Sequence, residues 1–204
     1  MNNFNYLSNA SSSKLYIILS GLSGGKEESL VKDLSTIIIK GGSILSIQFC
    51  NDHFYKNNKL DEVENLTFEY CFKRLDEEIK YAKNSHGVSF NEIVFVGHSF
   101  SALISIYYVY RTSKKKKNLP YKLVLLDKSN SIDIVEFMKT DQKDIIFSKR
   151  LIKYLENNDE VEMLKELRNK GIAIKNIEAG DLDANHDFKG KKIRKTLANF
   201  ILNL

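Results

Sequence analysis

The sequence has one proline, two cysteines and no tryptophan in 204 residues. Two cysteines cannot build the disulfide framework of a small secreted scaffold. Cys50 ends an apolar run and Cys71 falls on the apolar face of a helical pattern, so both read as core thiols. The amino end, "MNNFNYLSNASSSK", lacks the basic start and apolar stretch of a secretory signal peptide. No apolar run approaches the roughly 20 residues of a membrane-spanning helix. Histidine is scarce as well, and no Cys/His cluster has metal-ligand spacing, so no metal is expected. RNA-binding aromatic signatures and a helix-turn-helix pattern are likewise missing. These absences lead to the expectation of a cytoplasmic protein with no membrane span and no nucleic-acid partner.

What is present suits a globular chain. Hydrophobic residues make up 43% and charged residues 28%, enough for one domain with a sizeable core. The net charge is +5, with both signs interspersed. Its sharpest feature is "SKKKKN" at 113–118, which reads as a solvated helix end lying favourably against the helix dipole. A basic interaction surface built on Lys114 to Lys117 is the competing reading of that run.

Residues 1–13 are polar and Ser/Asn-rich, and are expected to form a flexible arm ahead of a single domain at 14–204. Five short apolar runs follow: "LYIILS" (15–20), "SILSIQFC" (43–50), "EIVFVG" (92–97), "YKLVLLD" (121–127) and "IAIKNIE" (172–178). Runs of this length, bounded by turn residues, suit strands buried on both faces. Between them apolar residues recur at helical spacing. Phe68, Cys71, Phe72, Leu75, Ile79 and Ala82 share one such face. Further helices are expected at about 145–156, 161–170 and through Ile193, Leu197 and Ile201. Alternating strands and helices imply an α/β fold, a mostly parallel sheet of about five to seven strands with helices on both faces.

In such a sheet, reacting groups gather where the strands end. Those positions include Ser99, Asp127 and His186, in that chain order. Serine becomes nucleophilic near neutral pH only beside a base, and the base needs an acid to orient it. "GHSFS" (97–101) fits the Gly-x-Ser-x-Gly nucleophile elbow except that Ser101 replaces the second glycine. It follows "EIVFV" directly and opens a helix, which is the context the motif requires; a plain helix cap is the bland alternative. Of the histidines, His186 follows the last strand and is the expected base, with His53 an alternative. His98 is expected to pack, and His86 should lie at the other end of the sheet. Asp127 is the expected acid, with Asp183 and Asp181 as alternatives. The oxyanion hole is expected from the backbone N–H groups of Phe100 and Leu22, with Ser23 an alternative to the latter.

The stretch "IVFVGHSFSALISIYYVYRTSKKKKNLPYKLVLLDKS" (93–129), with "LYIILSGLSGG" and "ANHDF", resembles the α/β-hydrolase superfamily. Within it, the similarity is to thioesterases of fatty-acid, polyketide and nonribosomal-peptide synthesis. The resemblance implies an α/β-hydrolase fold in which the aspartate closing "LVLLD", Asp127, is the triad acid. Departures are Ser101 at the second elbow glycine, Ser20-Gly21 before the oxyanion loop, and only about 45 residues between Asp127 and the last strand, hence a reduced lid. The expected activity is cofactor-free serine hydrolysis of an acyl ester or thioester, with acyl-CoA or an acyl-carrier protein as candidate partners. An acyltransferase on the same triad and a catalytically silent binding module are the rival readings.

Overall fold

A computed structural model describes residues 4–21, 29–49, 66–87, 89–115, 121–140 and 148–204. Its frame is a six-stranded sheet ordered β1-β3-β2-β4-β5-β6. The strands are β1 (Phe4–Leu7), β2 (Lys14–Leu19), β3 (Ser43–Ile47), β4 (Glu92–His98), β5 (Tyr121–Leu126) and β6 (Ala173–Ile177). All neighbours pair in parallel except β1, which runs antiparallel to β3. The helices are α1 (Ser29–Ile38), α2 (Phe68–His86), α3 (Phe100–Lys115), α4 (Ser131–Thr140), α5 (Lys149–Glu156), α6 (Glu160–Asn169) and α7 (Lys191–Leu202).

The apolar runs of β2, β3, β4 and β5 are strands because both of their faces are covered; β6, at the sheet edge, leaves Ala173, Lys175 and Asn176 exposed. Tyr16, Ile18, Val94, Val96, Val124 and Leu126 point to one side, where Leu34 of α1 and Leu197 and Ile201 of α7 meet them. The alternate residues Leu15, Ile17, Leu19, Phe95, Leu123 and Leu125 point to the other, under α2, α3 and α6. Every residue expected on the apolar face of α2 is buried. That helix starts where Thr67 accepts a hydrogen bond from the Tyr70 N–H at 3.1 Å, and ends at Gly87, whose φ of 73° is the left-handed stop. Helix α3 is enclosed almost all round, with Ala102, Leu103, Ile106 and Tyr107 fully buried.

Within the flexible arm expected at 1–13, residues 4–7 are strand, while residues 1–3 lie outside the described residues. Phe4–Leu7 is an edge strand in register with residues 44–47 of β3. Aromatic contacts anchor it: the Phe4 and Tyr6 rings lie 5.1 and 6.3 Å from Tyr81 on α2. Helix α4 is a second addition, one that the apolar pattern of its residues does not suggest. The basic run closes α3, where Lys114 pairs with Glu166 of α6 at 2.6 Å; Lys116 and Lys117 lie outside the described residues. Among the described residues, no helix is long and apolar enough to cross a membrane.

The chain leaves β2 toward β3 on one side and returns to β4 on the other. Strand order therefore reverses between β2 and β4, and the crevice opens at their carboxyl ends. Ser20, Gly21 and Ser99 stand there.

Candidate active site

Register alone brings the strand-end residues into line. The Ser99 N–H donates to the Leu126 carbonyl at 2.9 Å, and the Asp127 N–H donates to the Ile177 carbonyl at 2.8 Å. Each strand end thus holds the first residue beyond its neighbour. Both residues are left-handed, with φ of 54° at Ser99 and 41° at Asp127. Serine adopts that conformation only when its surroundings enforce it. Here β4 passes directly into α3 through this single residue. The turn is tight because Gly97 has no side chain. A Cβ on Gly97 would lie 2.7 Å from the Ser101 carbonyl oxygen and 2.8 Å from the Ala102 Cα.

Ser101 fits the place of the second elbow glycine by turning its hydroxyl toward the residue that follows β2. It donates a short hydrogen bond to the Ser20 carbonyl at the end of β2, and is buried. Phe100, the first residue of α3, is also buried. A helix's first N–H groups have no partner within the helix, so the Phe100 N–H is available at the elbow. Leu22 and Ser23, the expected sources of the second oxyanion donor, lie outside the described residues, as does His53.

Beyond β6 a 3-10 turn, Ala179–Leu182, carries the chain to His186. His186 Nδ1 and Asp127 Oδ2 form a short hydrogen bond, and Asp127 Oδ1 accepts the Ala179 N–H at 3.2 Å. Partial burial pushes the Asp127 carboxyl upward, but the hydrogen bonds from His186 and Ala179 outweigh it and hold the group below its ordinary range. Asp181 and Asp183, the alternative acids, have other tasks. Asp181 Oδ2 accepts the Glu178 N–H at 2.9 Å, closing the turn, and Asp183 ends it in a left-handed conformation with φ of 48°.

His98 does more than pack. It is 4% exposed, and its Nε2–H donates to the His186 carbonyl at 2.8 Å. The two imidazoles lie 4.8 Å apart. That bond leaves His98 Nδ1 as the acceptor nitrogen, buried, facing Gly21 and without a hydrogen-bond partner among the described residues. Burial holds the ring's pKa below the ordinary histidine value, which favours the neutral ring. Helix α2 ends at His86, which puts that residue ahead of β4, at the far end of the sheet.

The Ser99 hydroxyl lies 3.2 Å from the Ser129 hydroxyl. Ser129 belongs to the loop between β5 and α4, and nothing in the local pattern singles it out except its place after a strand end. A cavity of about 850 Å³ opens between α4 and the α5–α6 connection, floored by Val135 and Leu155. Lys128 and Asn130 line it, but Ser99 and His186 do not, so the Ser129 loop stands between cavity and elbow. Among the described residues, no group of three or more His, Cys, Asp and Glu side chains is placed to hold a metal ion.

No family model matches the chain, and no curated protein matches it. Solved structures do. Est1E from Butyrivibrio proteoclasticus is 12% identical with a TM-score of 0.66, covering 98% of this chain and 93% of that one. A dienelactone hydrolase from Anabaena variabilis is 9% identical, TM-score 0.61, over 98% and 88% of the two chains. The esterase domain of a Rhodothermus marinus protein is 9% identical, TM-score 0.60, over 98% and 89%. At these identities the likeness is one of backbone architecture, and with the six-stranded sheet, its reversal between β2 and β4 and the left-handed serine after β4, the chain has the α/β-hydrolase fold.

Proposed function

We propose that the protein is a serine hydrolase that cleaves a carboxylic ester or thioester through an acyl-enzyme on Ser99. One observation carries the reading: a left-handed serine at the strand-to-helix turn, one strand away from a hydrogen-bonded Asp127–His186 pair. The fold's solved neighbours, an esterase domain and a dienelactone hydrolase among them, support ester chemistry. The thioester alternative rests on the sequence resemblance alone.

The ionised Asp127 accepts the proton-bearing Nδ1 of His186, which leaves Nε2 as the base. Ser99 Oγ attacks the carbonyl carbon while its proton passes to Nε2, and the carbonyl electron pair moves onto oxygen. The Phe100 N–H donates to that oxyanion, with the Leu22 N–H as the proposed second donor. Collapse breaks the bond to the leaving alcohol or thiol, which takes the proton from His186. Water then repeats the sequence on the acyl-enzyme and frees Ser99. No step requires a cofactor.

The test is hydrolysis of nitrophenyl esters and acyl-CoA esters of several chain lengths by the wild type and by Ser99→Ala. Loss of turnover in a folded Ser99→Ala protein is expected, and undiminished hydrolysis sinks the assignment. Added alcohol or amine acceptors in the same assay separate hydrolysis from acyl transfer.

A further inference from the structure

Ser129 touches the proposed nucleophile, yet the triad chemistry gives it no task. We infer that Ser129 is a catalytic residue whose hydroxyl donates to Ser99 Oγ, aiming that oxygen and supporting the charge it gains as its proton leaves. The inference rests on the hydrolase reading above and adds to it a fourth side chain.

Hydrogen-bond roles assign the direction. The Asp127 carboxylate only accepts, so the bonded Nδ1 of His186 carries the proton and Nε2 is an acceptor. The single Ser99 proton has to leave toward Nε2 for reaction to occur. Ser99 Oγ then has only lone pairs to offer Ser129. The Ser129 hydroxyl, 3.2 Å away, is the donor that meets them. As the Ser99 proton moves to His186 and the Oγ–carbon bond forms, Ser129 keeps its own proton. Its hydrogen bond strengthens only while Ser99 Oγ is electron-rich, which lowers the barrier rather than tightening substrate binding.

The loop is built to hold Ser129 in place. On its amino side, Lys128 Nζ lies 3.6 Å from Glu160 Oε1. On its carboxyl side, the Ser131 N–H donates to Glu160 Oε1 at 3.2 Å, and the Ser131 hydroxyl donates a short bond to Glu160 Oε2. Glu160 is only 5% exposed, so one buried carboxylate at the start of α6 grips the loop on both flanks of Ser129. Asn130 Oδ1 adds a further tie by accepting the Ile132 N–H at 2.8 Å. Ordering of this kind is what a hydroxyl aimed at a reacting atom requires.

The experiment compares wild type, Ser129→Ala, Ser129→Thr and Ser99→Ala in ester turnover, fluorophosphonate labelling rate and thermal melting. Ser129→Ala is expected to lower kcat and the labelling rate together by roughly ten- to a hundredfold, the worth of one hydrogen bond to a group gaining charge. KM and the melting temperature should hardly move, and Ser129→Thr, which keeps the hydroxyl, should recover most of the rate. Labelling of Ser129→Ala at or above the wild-type rate overturns the inference, as does a loss that threonine fails to restore. If Ser129→Ala does not fold, Ser129→Cys, with similar shape and a weak donor, takes its place in the comparison. A wild type that neither labels nor turns over, like Ser99→Ala, overturns the hydrolase reading and this inference together. With a wild type that does both, the Ser129 variants alone decide the role of that hydroxyl.

Discussion

Gly97→Ala perturbs the elbow without touching any group proposed to react. A Cβ there would stand 2.7 Å from the Ser101 carbonyl oxygen, 2.7 Å from Ser105 Oγ and 2.8 Å from the Ala102 Cα. Ordinary van der Waals contact begins at 3.4 Å, so the crowded atoms must retreat by about 0.7 Å. Two of the three belong to the backbone of α3 and cannot swing aside. Nor can the strand yield, because Gly97 is paired with Leu19 on one side and Leu125 on the other. Helix α3 therefore has to move. Overpacking of this kind costs about 1–3 kcal/mol, and the absence of a soft neighbour puts this site near the upper end. For a chain of this size each kcal/mol lowers the melting temperature by about 2–4 °C, so a drop of roughly 6–12 °C is expected.

The same retreat carries Ser99 and the Phe100 N–H with it. A displacement of about 1 Å in a reacting group can cost on the order of a hundredfold in rate. For about 0.7 Å, kcat/KM measured well below the melting transition should fall at least about tenfold. Circular-dichroism melting and ester hydrolysis read the two effects separately. Gly180→Ala is the control, since a Cβ on Gly180 meets nothing within 4 Å; it should change stability by less than about 1 kcal/mol and leave the rate alone. A Gly97→Ala protein that melts and turns over like the wild type would refute the argument that close strand-to-helix approach forms the elbow.

Three further perturbations follow from the hydrogen bonds. Asp127→Asn replaces an ionised acceptor with an amide that can favour the wrong His186 tautomer, so kcat should fall by roughly three to four orders of magnitude while circular dichroism is unchanged. Burial pushes the Glu160 carboxyl upward, but its hydrogen bonds from Ser131 and the Lys128 charge outweigh this and hold it below the ordinary range. A carboxyl depressed on folding stabilises the protein above its unfolded pKa, and that stability is lost as pH falls through the folded value. Urea midpoints should therefore drop on acidification below about pH 5, and Glu160→Gln should be less stable near neutrality with a shallower acid slope; an identical slope would count against the ionised pair. Ser101→Ala leaves the Ser20 carbonyl without its hydroxyl donor, which should cost about 1 kcal/mol in urea titration.

Much of the frame was legible because the central strands have both faces covered, a demand that leaves few polar positions in their runs. The face of α2 was legible for the related reason that a helix against one sheet face repeats its apolar residues every three or four positions. Strand β1 was not, because an edge strand alternates: Phe4 and Tyr6 find aromatic partners on α2 while Asn5 sits between them. Helix α4 escaped because its apolar residues do not all face the core: Ile132 on it is 67% exposed. Within the site, strand-end logic selected Ser99, Asp127 and His186, but left three aspartates in contention. What separates them is conformational: Asp181 closes a turn and Asp183 ends it, tasks set by backbone torsions that no residue pattern records. The Ser99–Ser129 contact was hidden for the same reason, since the direction of a side chain three residues past a strand end depends on the left-handed turn at Asp127.

The left-handed turn at Ser99 also bears on the rival reading of a silent binding module. A non-glycine residue in that region costs about 1–2 kcal/mol relative to the right-handed one. A serine at φ of 54° is thus a local expense that glycine at the same place would not carry. The cost can be isolated by comparing Ser99→Gly with Ser99→Ala. Both variants lose the hydroxyl and its contact with Ser129, so that loss cancels. They differ in the Cβ, which only alanine retains in the strained conformation. Ser99→Gly should therefore melt about 2–8 °C above Ser99→Ala, from about 1–2 kcal/mol at 2–4 °C each. Neither should turn over ester. If alanine proves as stable as glycine, Ser99 is not strained, and the main argument that its position is held for chemistry fails. If glycine is the more stable and both are inactive, the chain keeps a destabilising serine where its hydroxyl meets Ser129.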